Sequence, residues 1–282
     1  MSGDHFKRAM REHLGSIWRE LRILATPVPQ PKQWVFLVGC YNSGTTLLAE
    51  VLGEHPQISA LPTEGHFITD QFVKDFDIGL PRMWVKREDI FRLTEKDNGP
   101  DPIRVAKEWG MRLNLSKPVL LEKSPPNAAR TRWLQANFPN ARFIALVRNG
   151  YAVSEGIARK ADPKHLPQGW PIRDCAHQWA RSNEVLLEDS KHLQHCLWVK
   201  YEDFTDHPLE TLERITDFLE LEKFGQLDLT KPWGVHERRE AIKNMNHRSI
   251  SRLTSAEISE ITAVAGTMLE HFGYSKITPP QE

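Results

Sequence analysis

The chain has 282 residues, 40% of them hydrophobic and 26% charged, with 37 basic residues balanced by 37 acidic ones. That length supports one large α/β domain with a sizeable core, and the even charge argues against a protein that grips nucleic acid or an anionic membrane through a basic excess. Only three cysteines occur, Cys40, Cys175 and Cys196, without paired spacing, which speaks against a disulfide framework or a metal cage and fits a reducing, cytoplasmic setting.

At the N-terminus Phe6, Met10, Leu14, Ile17, Trp18, Leu21 and Leu24 recur at helical spacing among basic residues. This predicts an amphipathic helix that packs on the domain or on a partner subunit of a homo-oligomer, with peripheral membrane contact as the alternative. No apolar run reaches the ~20 residues of a membrane span, so no transmembrane segment is expected. Pro27, Pro29 and Pro31 stop the helix and form a stiff connector. Residues 1–31 are thereby set apart from a domain at 32–276.

Trp34-Val-Phe-Leu-Val38 is a short apolar run ending at Gly39 and reads as a buried parallel strand. A helix follows, carrying Leu47, Leu48, Val51 and Leu52, stopped near Gly53. Val119-Leu-Leu121 predicts a second strand, followed by a helix opening at Pro125-Pro126 and carrying Trp133, Leu134 and Phe138. Phe143–Val147 predicts a third strand, Tyr151 to Lys160 a helix, Leu197-Trp-Val199 a fourth strand and Leu209 to Leu221 another helix. Ile258, Ile261, Val264, Met268 and Leu269 predict a final amphipathic helix. Strands alternating with helices imply a parallel sheet flanked by helices. The less regular stretch from Phe67 to Ser116 predicts a helical insertion over the C-terminal edge of the sheet, where such folds place ligands.

Between the first strand and the first helix lies Gly39-Cys-Tyr-Asn-Ser-Gly44-Thr45-Thr46. Glycines at a strand-to-helix turn let backbone N–H groups converge on an anion, and the helix N-terminus adds a favourable dipole. The spacing matches a P-loop, but Thr45 stands where a triphosphate enzyme keeps its lysine, and the third strand ends in Arg148-Asn149 rather than in a magnesium-binding aspartate. The loop suits a metal-free donor with less charge at its 5′ end and a second phosphate elsewhere.

These segments resemble the family of sulfotransferases that use 3′-phosphoadenosine 5′-phosphosulfate (PAPS), especially the tyrosylprotein and carbohydrate branch and its bacterial relatives. Ser43-Gly-Thr-Thr-Leu47 is similar to the 5′-phosphosulfate loop, Phe143 to Gly150 to the strand-turn for the 3′-phosphate, Glu122-Lys-Ser-Pro125 to the motif upstream of it, and Val199 to Phe204 to a fourth-strand motif. The resemblance runs from Trp34 to Tyr274. It implies a P-loop-like fold whose helical insertion forms the acceptor side. The implied reaction moves a sulfuryl group from PAPS to a hydroxyl of a carbohydrate, tyrosyl or small-molecule acceptor and leaves adenosine 3′,5′-bisphosphate.

The same resemblance implies residue roles. Asn42, Ser43, Gly44, Thr45 and Thr46 line the 5′ end; Arg148 holds the 3′-phosphate, a task suited to a guanidinium. Arg159 and Tyr201 contact the nucleotide, and Arg238, Arg239 and Lys243 belong to a late loop that closes over it. Two positions depart from the family pattern. Asn42 replaces a cation beside the transferring group, and Gly156 stands where the family has a serine, with Ser154 nearby but out of register. Glu64 is the expected base, His66 the competitor, and Lys123, whose separation from Arg148 equals that of the tyrosylprotein branch, the expected electrophilic cation. No metal is expected. Acceptor specificity is expected from Phe67 to Ser116 and from Ala161 to Asp174, where Trp84, Trp109 and Trp170 stand as stacking surfaces or as core. A non-catalytic nucleotide-binding relative and a metal-dependent kinase on the same sheet are the alternative readings.

Overall fold

The computed structural model describes residues 3–160, 168–235 and 238–278, leaving aside the side chains of 3–13, 235, 238 and 240. In chain order the elements are α1 (Gly3–Ala25), β1 (Gln33–Val38), α2 (Thr45–Gly53), β2 (Ile58–Ala60), α3 (Gly65–Ile68), a 3-10 turn (Trp84–Arg87), α4 (Glu88–Phe91), α5 (Pro102–Gly110) and β3 (Val119–Lys123). Next come a 3-10 turn (Pro125–Ala129), α6 (Thr131–Asn137), β4 (Ala141–Val147), α7 (Gly150–Arg159), α8 (Ile172–Ser190), β5 (Cys196–Lys200), α9 (Tyr201–Asp206), α10 (Pro208–Phe218), the hairpin β6 (Trp233–Val235) and β7 (Arg238–Glu240), α11 (Asn246–Ile250) and α12 (Ser255–His271).

Five strands pair in parallel in the order β2-β3-β1-β4-β5. The central strand is buried throughout, and its alternation divides the core. Trp34, Phe36 and Val38 face the cluster that contains Trp109, Trp133, Phe138, Phe143 and α8 residues such as Trp179. Val35 and Leu37 face the other, with Leu48, Val51, Leu52, Phe204, Leu212 and Ile215 from α2, α9 and α10. The chain runs from β1 to one side of the sheet and later crosses to β4 on the other. The C-terminal ends of β1 and β4 therefore form a topological switch point, the crevice where open α/β sheets bind ligands.

The strands expected from the apolar runs are present, joined by the short edge strand β2. The 19-residue α8 has no counterpart among the expected elements. It buries Gln178, Ser182, Asn183 and Asp189 alongside Cys175, Ala176, Trp179, Val185 and Leu186, so its inward face lacks the apolar stripe that marks a helix in sequence. The Pro125-Pro126 segment is a 3-10 turn before α6 rather than the start of one helix.

The N-terminal helix docks with its charged side inward. Arg19 contacts Asp70 at 2.8 Å and also Glu108, Arg104 reaches Glu20 and Asp70, and Ile23 is buried. Leu14, Trp18, Leu21 and Leu24 face outward. Spacing alone predicts the apolar side as the packed one, but the complementary charges on Asp70, Arg104 and Glu108 orient the helix instead. Among the described residues no helix is long and apolar enough to cross a membrane.

Candidate active site

The turn after β1 is tight enough to require its glycines. A Cβ on Gly39 would stand 2.4 Å from the Leu146 carbonyl oxygen of β4. Gly44 has φ +97°, and a Cβ there would stand 2.5 Å from the Tyr201 ring. Asn42, at φ 60°, uses the left-handed conformation that asparagine tolerates. Gly44 caps α2 without any side-chain hydrogen bond, whereas α7 is capped by its own Asn149, which accepts from the Tyr151 N–H. The first-turn N–H groups of α2 are therefore left available for an anion.

Around this turn several buried polar atoms have no hydrogen-bond partner among the described residues: Asn42 Nδ2 and Oδ1, Ser43 Oγ and Arg148 Nη2. Buried polar groups are ordinarily satisfied, so these atoms, on adjoining residues of one turn and the strand beside it, make the turn a candidate ligand surface. Arg148, at the end of β4, is 8% exposed. Its Nε donates to Asn246 Oδ1 (2.8 Å), its Nη1 to the Asn42 carbonyl (3.0 Å), and its guanidinium stacks 4.2 Å from the Tyr201 ring centroid. Burial lowers its pKa from the usual value. Glu202 completes the support: it accepts from Asn149 N, Asn246 Nδ2 and Tyr274 OH.

A second group of residues gathers at the end of β3. Lys123 Nζ donates to Glu64 Oε1 (2.7 Å) and to Thr46 Oγ1 (3.1 Å), so one ammonium joins α2 to the turn before α3. Glu64 occupies the N-cap position of α3 but makes no cap hydrogen bond. That turn is pinned from beneath: Glu122 Oε1 accepts from Gly65 N (2.9 Å), and Trp109 Nε1 donates to the Gly65 carbonyl (2.9 Å). Glu122 also accepts from Ser124 and Asn127, and burial pushes its carboxyl up to about 7 despite these hydrogen bonds. His66 is fully buried, with Nδ1 3.1 Å from Ser124 Oγ and 3.7 Å from Glu64 Oε2. Desolvation, then the charge of Arg130, holds its pKa well below 6.5 and keeps the ring neutral.

Beyond Lys123 and Glu64 opens a cleft of about 380 Å³, walled by Tyr41, Phe67, Asp75, Phe76 and Arg82 and reaching Gly234. The insertion thus supplies one wall, held in part by Asp75, which accepts from Tyr41 OH and from Arg82 N. Trp84 and Trp109 are buried in the core; half-buried Trp170 donates to the Pro81 carbonyl.

Of the residues expected from sequence, the fold brings together Asn42 to Thr46, Arg148 and Tyr201 on one side and Glu64, His66 and Lys123 on the other, with Thr46 at the seam. Lys243 is exposed, and its carbonyl accepts from Tyr201 OH. Ser154 Oγ is turned back onto the Gly150 carbonyl, while Gly156 packs against Asn42. Arg159 is half exposed and paired with Glu155, and Arg239 is exposed near the Pro232 carbonyl. The side chain of Arg238, and residues 161–167 of the expected acceptor region, lie outside the described residues. Sequence reasoning missed Asn246, Asp75 and Arg82, since none sits in a motif with a fixed offset, and gave Glu202 no role although it lies within the fourth-strand motif Val199 to Phe204. Glu122 was within a recognised segment but without a role.

A family model described as the sulfotransferase family matches residues 34–225. The chain is 26% identical over 197 residues to protein-tyrosine sulfotransferase A of Caenorhabditis elegans, covering 67% of this chain and 50% of that protein. It is 25% identical over 277 residues to the Drosophila melanogaster protein-tyrosine sulfotransferase, covering 88% and 53%. The chain thus spans about half the length of these two relatives. The sulfotransferase domain from the Synechococcus PCC 7002 olefin synthase superposes with a TM-score of 0.55 at 21% identity, covering 88% of this chain and 96% of that one. The corresponding domain from the curacin biosynthetic pathway gives 0.53 at 21% identity, covering 88% and 100%. These two structures share the fold.

Proposed function

The chain belongs to the sulfotransferase family, and from that premise we propose that it transfers a sulfuryl group from PAPS to the hydroxyl of an acceptor bound in the Glu64–Lys123 cleft. The carrying observation is the set of buried polar atoms without partners on Asn42, Ser43 and Arg148, gathered at the switch point of the sheet beside an uncapped helix N-terminus. The fit to the donor is good at both ends. The turn 43–46 with the first N–H groups of α2 would hold the 5′-phosphosulfate, and Arg148 would hold the 3′-phosphate. Tyr201, packed between Gly44 and Arg148, would fix the distance between the two.

When bound, PAPS supplies an activated sulfuryl group whose sulfur bonds to the acceptor oxygen as its bond to the 5′-phosphate oxygen breaks, leaving adenosine 3′,5′-bisphosphate. Glu64 takes the proton of the acceptor hydroxyl. As its carboxylate is neutralised, its pairing with Lys123 weakens, and the ammonium becomes available to charge on the sulfuryl and leaving oxygens. Thr46 holds Lys123 on the side of the loop. His66, buried and neutral, supports the turn through Ser124 and leaves the base role to Glu64. Related protein-tyrosine sulfotransferases make a tyrosyl hydroxyl the first acceptor to test, with carbohydrate and small phenols next. The three cysteines are free, two of them buried, which supports a cytoplasmic setting.

The test is a pair of measurements on the whole protein. Adenosine 3′,5′-bisphosphate is expected to raise the melting temperature without added metal, and radiolabelled donor to transfer its label to an acceptor. A melt that responds to ATP with magnesium but not to the bisphosphate would overturn the donor assignment.

A further inference from the structure

Asn42 has an arrangement that its place in the loop does not explain. It is the residue before Ser43, held at φ 60°, with its own carbonyl occupied by Arg148 Nη1 at 3.0 Å. Both polar atoms of its side chain are buried without a partner among the described residues. The carboxamide lies against the second turn of α7. A Cβ built on Gly156 would stand 3.2 Å from Asn42 Cβ, 3.3 Å from Cγ and 3.6 Å from Nδ2. The absence of a side chain at Gly156 therefore gives the carboxamide its room. The neighbouring Arg148 likewise keeps Nη2 buried and without a partner. A buried amide that satisfies nothing costs stability, roughly 1–3 kcal/mol, so its retention beside a cation in the same state points to a shared ligand.

Resting on the donor reading above, we propose that the Asn42 carboxamide is a ligand of the nucleotide's 3′-phosphate, acting with Arg148, and that Gly156 is the residue that admits it. Asn42 Nδ2–H donates to a phosphate oxygen while Arg148 supplies the charge. Asn42 then serves recognition of a doubly phosphorylated nucleotide, and the charge for the transfer step comes from Lys123.

The test compares the dissociation constants of adenosine 3′,5′-bisphosphate and adenosine 5′-phosphosulfate by calorimetry on the full chain. Asn42→Gly is the first variant, since glycine accepts the left-handed backbone without strain. It is expected to weaken the bisphosphate about tenfold or more, the scale of a hydrogen bond to a charged group, and to change the phosphosulfate less than about twofold, the noise of such a comparison. Asn42→Asp keeps the shape and places a negative charge beside the phosphate, and it is expected to weaken the bisphosphate further. Gly156→Ala in the natural sequence is expected to weaken the bisphosphate by displacing the carboxamide, and to add nothing in the Asn42→Gly background. Equal weakening of both nucleotides by Asn42→Gly, or of neither, would overturn the assignment. Failure of the unaltered protein to prefer the bisphosphate over adenosine 5′-phosphate would sink the donor reading itself.

Discussion

The two halves of the site differ in how their polar groups are satisfied. On the donor half, the turn after β1 and the end of β4 hold buried Ser43, Asn42 and Arg148 atoms with no partner among the described residues, and the helix behind them has no side-chain cap. On the acceptor half, Lys123 is paired with Glu64 and Thr46, and Asp75 with Tyr41 and the Arg82 amide, so these three charged groups are satisfied, although His66 Nε2 and Arg82 Nε are buried without a partner among the described residues. The proposed roles of the two halves account for the difference. A nucleotide's fixed phosphates can be met by groups frozen in advance, which lowers the ordering cost of binding. A proton acceptor must be charged before the reaction and lose that charge during it, so it needs a partner that holds it in place until then. On the proposed reading, the donor half serves binding and the acceptor half chemistry.

That division is broken or sharpened by substitutions on each side. The largest effects belong to the acceptor half. Glu64→Gln and Lys123→Ala are each expected to lower kcat by about 10²–10⁴-fold, with the dissociation constant of adenosine 3′,5′-bisphosphate changed less than about twofold, within ordinary additivity error. A nucleotide affinity that falls along with turnover would merge the two halves. Arg148→Ala is expected to weaken the bisphosphate about 10–100-fold, as loss of charge-assisted hydrogen bonds does, and adenosine 5′-phosphate far less; equal losses in a competition assay would refute the 3′-phosphate role. Gly44→Ala meets the Tyr201 ring at 2.5 Å on a backbone at φ +97°. It should lower the melting temperature by about 5 °C or more, given about 1–2 kcal/mol for the left-handed backbone alone.

Glu122, beneath the acceptor turn, gives a pH test. Its carboxyl is raised from 4.5 to about 7, chiefly by burial. The stability tied to its protonation is therefore complete below about 4.5, is lost as pH rises through about 7, and is level above that. Glu122→Gln should flatten that part of a melting-temperature profile, and an unaltered slope would reject the assignment. The smallest effect is expected of His66→Gln, less than about tenfold in kcat, below the scale of lost acid–base catalysis. A loss as large as that of Glu64→Gln would return the base role to His66.

Much of this was legible from residue order. Trp34–Val38, Val119–Leu121 and Phe143–Val147 are short apolar runs that read as buried parallel strands, and the structure has a strand at each, with the glycine turn after the first leading into α2. Helix α8 was not legible, because its buried face carries polar residues: Gln178 accepts from Val85 N of the insertion and Asn183 donates to the Trp179 carbonyl one turn back, so no apolar stripe reports it. The inward-facing charges of α1 were hidden for the same reason: Asp70, Arg104 and Glu108 lie far along the chain.

The amino-acid order alone determined four of the sheet's five strands, the glycine turn after the first and the family, and singled out Glu64, Lys123 and Arg148 as the groups to test, because strand and turn signals are local. Only the folded chain decided that Glu64 is paired with Lys123 while His66 is sealed in neutral form, that Asn246 and Glu202 hold Arg148, and that Gly156 makes space for Asn42. These outcomes depend on which distant side chains share a desolvated volume, and burial and partner choice are set by packing across the sheet rather than by neighbours along the chain.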